Sequence, residues 1–220
     1  MRKFIFIPVV NHIELLEKAI ASVPAGIFDE YIIFNNTSST LTIDTLHFKV
    51  MDLGERKTFR DTQNIMRQYA LDNKYDYYCF MHNDGEVTDD STVQRLVKMA
   101  EDQTDKWSVI FTNYDVLCAY STECVKAIGE WGDFKWPREQ HNGYYLDNDY
   151  YRRMNFEWAN EQTLPDSSVL HSEPSNTIKD PDEHIRWRSQ IDNVERHYRM
   201  KWGGLPGHET CDKSFGDLVL

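Results

Sequence analysis

The sequence predicts an α/β fold in which a mostly parallel central sheet is flanked by helices on both faces. Three observations carry this expectation. Continuous apolar runs, the mark of strands buried on both faces, occur at residues 3–10 and 31–34, with an aromatic-rich run at 75–81 and a further strand at 107–112. Between the runs, apolar residues recur at helical spacing. The two kinds of segment alternate, as they do when helices cross over between parallel strands.

In chain order, the first run (3–10) is followed by Ile13, Leu16, Ile20 and Val23 on one helical face, and Pro24-Ala-Gly26 stops that helix. The strand at 31–34 leads into the polar turn Asn35-Asn-Thr-Ser-Ser39, and 48–51 reads as a short third strand. A helix is expected at 58–71. Ser91 is placed to cap another, which carries Val93, Leu96, Val97 and Ala100. Beyond residue 112 the pattern becomes irregular. Residues 131–145 mix glycine and proline with aromatics, the composition of a loop over a pocket, and 147–155 reads as a short helix. Asp180-Pro-Asp-Glu183 has a cap, a first-turn proline and a reciprocal glutamate in order, starting a C-terminal helix that Gly203-Gly204 ends. Its stripe Trp187, Ile191, Val194, Tyr198 and Trp202 is expected to pack inward. There is no internal repeat or linker composition, so residues 1–220 read as a single domain.

Composition narrows the function. A net charge of −12 disfavours generic binding to phosphate backbones, whereas an acid excess is what a divalent-metal site needs. Cys79, Cys118, Cys124 and Cys211 form no Cys-x-x-Cys pair and read as reduced thiols. No apolar stretch reaches the roughly 20 residues of a membrane helix. The first run contains Pro8, is broken by Asn11 and lacks a cleavage pattern, so no signal peptide is expected and the cytoplasm is the expected location.

Four constellations are able to carry chemistry. Met81-His-Asn-Asp-Gly-Glu86 directly follows a strand, where ligands of open α/β sheets bind. Asp84 and Glu86 are therefore either candidates for a hard cation or the polar exit of a strand. Asp147-Asn-Asp149 is either a pair satisfying a helix dipole or the seat of a general base. His171 precedes a small polar run suited to a loop near an anion, whereas His82, His141 and His184 read as structural. Arg186, Arg188, Arg196, Arg199 and Lys201 form one basic stretch that faces either solvent or an anionic ligand.

Taken together and in this order, these segments resemble nucleotide-sugar glycosyltransferases of the GT-A (Rossmann-like) fold, in particular small, inverting, family-2-like members of bacterial and phage type. The resemblance runs over nearly the whole chain and rests on Ile7-Pro-Val-Val-Asn11, Asn35-Asn-Thr-Ser38, Gln63-Asn64, Met81-His-Asn-Asp84, Asp147-Asn-Asp149 with Arg153, His171 and Lys201-Trp-Gly-Gly204. Two departures stand out: His82 replaces the first acid of the Asp-x-Asp motif, and Leu146 replaces the glutamate before Asp147. The resemblance implies a donor-binding half at 1–112 and an acceptor and catalytic half at 113–220. It implies a nucleoside diphosphate sugar donor, most often a UDP-sugar, contacted by Pro8, Val9, Asn11, Asn36, Asn64, Asp84 and Lys201. It implies Mn²⁺ or Mg²⁺ held by Asp84 and His171, with Glu86 as a candidate helper, and Asp147 as the base. The implied acceptor is a glycan hydroxyl or a hydroxymethylated DNA base, the latter in phage-encoded members working in the host cytoplasm. Aromatics of 131–145 would wall the acceptor side. Two rivals remain, a non-catalytic nucleotide-sugar or glycan-binding module and a nucleotidyltransferase. The second usually has a glycine-rich phosphate loop after the first strand, and Pro8-Val-Val-Asn-His12 has no glycine.

Overall fold

A computed structural model describes residues 1–37, 39–52, 54–89, 91–132, 143–158, 161–172 and 176–215. Most of the aromatic segment expected over the pocket, 133–142, lies outside them. The strands β1 (Lys3–Val9), β2 (Glu30–Asn35), β3 (Lys49–Asp52) and β4 (Tyr77–Met81) run parallel, adjacent in the order β3-β2-β1-β4. Beyond β4 lie β7 (Tyr114–Ser121), antiparallel to it, then β6 (Val109–Thr112), then β8 (Gln162–Thr163). A second, two-stranded sheet joins β5 (Gly85–Val87) to β9 (Val169–His171).

The continuous apolar runs have a simple cause. Successive side chains of a strand point to opposite faces, so a strand covered on both faces must be apolar at every position. In β1, Ile5, Ile7 and Val9 enter one core cluster while Phe4 and Phe6 enter the other. Helices α1 (Ile13–Ser22) and α3 (Thr92–Glu101) cover the first face with Leu16, Ile20, Leu96 and Val97. The second face is covered by α2 (Phe59–Asp72), α4 (Thr122–Ile128), α5 (Leu146–Glu157) and α6 (Pro181–Trp202), through Met66, Val125, Tyr150 and Trp202. All four cysteines are free.

Several local expectations are revised. Ser91 makes no capping bond; Asp89 instead accepts from the Ser91 and Thr92 hydroxyls at the start of α3. Asp180 caps α6 by accepting from the Asp182 and Glu183 amides, but Glu183 does not reciprocate, since its carboxylate pairs with Arg56. In the α6 stripe, Val194, Tyr198 and Trp202 are buried, and Trp187 and Ile191 only half-buried. Gly203 ends that helix at φ 76°, where a Cβ would lie 2.3 Å from the Thr210 hydroxyl. The strands β5, β7, β8 and β9 and the helix α4 are additions to the expected elements. No helix among the described residues is long and apolar enough to cross a membrane.

Candidate active site

Parallel strands that end at one edge of a sheet deliver the residues following them to a common place. Pro8 and Val10 come from the end of β1, Asn36 from the end of β2, and His82, Asn83 and Asp84 from the end of β4; all line one cleft of about 310 Å³. Because β7 is antiparallel to β4, it begins where β4 ends, and so contributes Tyr114 and Asp115 to the same cleft. The β5–β9 ladder brings in His171. Gly85 pairs with His171, and the Ser172 amide donates to the Asp84 carbonyl at 2.9 Å. The ladder depends on a glycine at 85, where a Cβ would meet Val116 Cγ1 at 2.8 Å.

At the centre is a tight cluster. His171 Nε2 lies 3.2 Å from Asp84 Oδ1, and His82 Nδ1 lies 3.8 Å from the same oxygen. His82 Nε2 is 3.8 Å from Asp115 Oδ1, and the two imidazoles meet edge to face at 5.4 Å. Burial would raise the Asp84 carboxyl, but the His171 hydrogen bond and the His82 imidazole outweigh it and hold the carboxyl below its usual range. The same bond raises His171 against the opposing effect of its own burial. One ligand atom each from His82, Asp84 and His171 lie within 4.8 Å of one another, a spacing that a divalent cation can bridge. Two imidazoles and a carboxylate fit Mn²⁺ better than the all-oxygen shell Mg²⁺ prefers. His82, expected to be structural, thus stands in this cluster in place of the missing acid.

Asp147 lies in the first turn of α5 and lines the same cleft, half-buried. Its carboxyl is pushed up to about 7, first by burial and then by the charge of Asp115. Asp115 itself is 6% exposed and accepts from the Tyr151 hydroxyl at 3.1 Å. Sequence reasoning missed Asp115. The apolar run that follows it, Val116-Leu-Cys-Ala-Tyr120, was the available signal for a strand starting there.

The other expected donor contacts are distributed unevenly. Pro8 and Asn36 line the cleft, and Asn36 is clamped through both ends of its amide to the Lys57 backbone. Asn11 donates to the Thr177 carbonyl at 3.2 Å, and its buried Oδ1 has no partner among the described residues. Val9 is fully buried in the core. Asn64 spends its amide on the Trp131 backbone, accepting at 2.8 Å and donating at 3.2 Å, outside the cleft lining. Glu86 is neither in the lining nor in the histidine–aspartate cluster.

Lys201 does not reach the cleft either. It is 1% exposed, with Nζ 2.7 Å from Asp149 Oδ1. Asp149 is fully buried and also takes Trp202 Nε1 at 2.8 Å and Arg153 Nε at 3.3 Å. The two acids of Asp147-Asn-Asp149 therefore part ways, one facing the cleft and the other neutralising two cations inside. Among the described residues, the arginine or lysine lining the cleft is Arg56, held by Glu183. Removing Asp149 with alanine leaves two buried cations without their shared carboxylate. We expect it to cost about 3–5 kcal/mol in denaturant unfolding, and a loss below about 1 kcal/mol would refute that role.

No family model matches the chain, and no curated protein matches it. Solved structures do. A mannosyltransferase from Pyrobaculum calidifontis, solved with GDP-Man and Mn²⁺, aligns with a TM-score of 0.55 at 13% identity over 87% of this chain, which spans 64% of that protein. S. aureus TarS (residues 1–349) aligns at 0.58 and 13% identity, covering 90% of this chain and 72% of that one. Glucosyl-3-phosphoglycerate synthase from Mycobacterium tuberculosis, solved with Mn²⁺, UDP and its product, aligns at 0.56 and 14% identity, covering 89% and 79%. At such identities the likeness establishes the fold. The architecture is that of these glycosyltransferases, a GT-A fold, as the sequence resemblance implies.

Proposed function

We propose that the chain is a metal-dependent inverting glycosyltransferase that moves a sugar from a nucleoside diphosphate sugar to an acceptor hydroxyl. The observation carrying this reading is that Asp147 and the His82–Asp84–His171 cluster open on one cleft at the carboxyl ends of parallel strands. The structural neighbours support the donor class, since TarS was also solved with UDP-GlcNAc and the mannosyltransferase with GDP-Man. A UDP-sugar is the donor this reading favours, and Mn²⁺ the metal.

A divalent cation held by His82, Asp84 and His171 would supply the positive charge that stabilises the departing diphosphate. The protein's own residues do the rest. Pro8 and Asn36 shape the floor beneath the nucleotide, and the Lys57 clamp keeps Asn36 in one orientation. Arg56 places a guanidinium against the anionic donor, pre-positioned by Glu183. Asp147 takes the proton from the acceptor hydroxyl as its oxygen bonds to the anomeric carbon. The carbon–oxygen bond to the diphosphate breaks, its electron pair leaves with the diphosphate, and the anomeric configuration inverts. A carboxyl titrating near 7 suits a base working at neutral pH.

The test is a panel of UDP- and GDP-sugars with Mn²⁺ and no acceptor, read as slow release of UDP or GDP. Release with inverted sugar, observed by NMR before mutarotation, is the expected result. Retained configuration would overturn the role of Asp147, and tight UDP binding without any release would make the chain a binding module.

A further inference from the structure

We infer that a second cavity beside the catalytic cleft seats the acceptor, and that it takes an uncharged sugar ring. The inference rests on the reading above for what the neighbouring cleft does. The cavity, of about 570 Å³, lies between α5, the ends of β6 and β8, and the segment at 206–209. Its volume falls within the range usual for small-molecule sites. Tyr114 lines both cavities, and Asn148, which follows Asp147 in the chain, donates to the Tyr114 hydroxyl at 3.2 Å. Tyr114 and Asp147 both line the catalytic cleft, so a ring resting against the other side of Tyr114 is one side chain away from the cleft that holds the proposed base.

The walls have the chemistry of a sugar site. Tyr114 is held at φ 51°, a conformation that disfavours bulky side chains, yet it is 55% exposed with its ring nearly parallel to Phe111. Strain of this kind, kept in a half-exposed aromatic at the mouth of a cleft, is where a ligand platform is expected. Phe156 adds a second open ring, 49% exposed, with the Arg152 guanidinium over it at 4.7 Å. Such faces stack on the apolar C–H face of a pyranose, while the wall holds Asn155 and Glu161, bonded to each other at 3.2 Å, whose remaining amide hydrogen and carboxylate lone pairs are left for its hydroxyls.

Charge decides against a phosphate-bearing acceptor. The cavity contains Glu161, Glu209 and Arg152, and the arginine is already engaged by Glu209 at 3.7 Å and the Cys211 carbonyl at 2.8 Å. The wall thus carries net negative charge on a chain of net charge −12, which repels a DNA strand and tolerates a neutral glycan.

The experiment titrates the ¹⁵N-labelled chain with methyl glycosides of glucose, galactose, mannose and N-acetylglucosamine, and separately with an oligonucleotide carrying 5-hydroxymethylcytosine. At least one glycoside is expected to shift the amides of Tyr114, Phe156 and Thr163. Two variants away from the catalytic cleft, Phe156→Ala and the cavity-filling Thr163→Trp, should weaken that binding about tenfold or more. Affinity for UDP with Mn²⁺, measured alongside, reports on the donor cleft, so failure of the donor reading is seen separately. No glycoside shifting these resonances, equal binding by both variants, or shifts caused by the oligonucleotide instead would overturn the inference.

Discussion

Asp147→Asn is expected to lower turnover by about 10²-fold or more while leaving affinity for nucleoside diphosphate and Mn²⁺ unchanged. The amide keeps the size of the carboxylate but accepts no proton, and the residue stands outside the His82–Asp84–His171 cluster proposed to hold the metal. The pH profile sharpens the test. With its carboxyl pushed up to about 7, Asp147 can serve as the proposed base only when ionised, so wild-type kcat/KM should fall below about pH 7. Asp115 contributes to that shift, and Asp115→Asn should move the acidic limb to lower pH. Stability has a defined sign as well. An acid whose folded value lies above its ordinary 3.8 resists ionisation in the native state, so it destabilises the fold increasingly from that value up to about 7, and fully above it. The Asp147→Asn protein should therefore melt at a higher temperature than wild type at pH 8, with the difference vanishing near pH 3. Near-normal turnover would remove Asp147 from the reaction, and an unchanged melting temperature at pH 8 would remove the electrostatic argument.

How much of this was readable from the sequence depends on which contacts are local. The runs that became β1, β2 and β4 announced themselves because a doubly covered strand admits few polar residues, and the helical spacing of Leu16 and Ile20 or of Leu96 and Val97 marked the covering helices. The departures lie where partners are distant in the chain. The antiparallel sense of β7, which carries Asp115 to the cleft, and the pairing of Gly85 with His171 are products of sheet assembly. No local pattern encodes them. His82 was discounted because, taken alone, it resembles any histidine after a strand; it takes its place only when Asp84, Asp115 and His171 converge around it. Lys201 was a legible case read the wrong way round. Val194, Tyr198 and Lys201 are separated by four and three residues, so their spacing puts the lysine on the apolar face of α6 and away from solvent. Its charge drew attention, whereas its position pointed to Asp149 inside.

The second large effect concerns the cluster itself. Asp84→Ala should abolish the metal-dependent part of UDP binding, lowering affinity in the presence of Mn²⁺ by on the order of 10²-fold or more, with little change when the metal is chelated. Asp84 is the carboxylate within that trio and touches His171, so its loss removes both a ligand and the hydrogen bond that orients the imidazole. His171→Ala should act in the same direction, because it deletes a ligand but leaves the Asp84 charge to attract the cation. Selectivity provides the independent control. His82→Asp replaces an imidazole by a hard oxygen donor in the position that the Asp-x-Asp resemblance assigns to an acid, so it should raise Mg²⁺-supported binding relative to Mn²⁺. Calorimetry with UDP and each metal measures all three variants. If Asp84→Ala binds UDP–Mn²⁺ as wild type does, the cation is held elsewhere, and the two imidazoles beside Asp84 serve only to neutralise its buried charge.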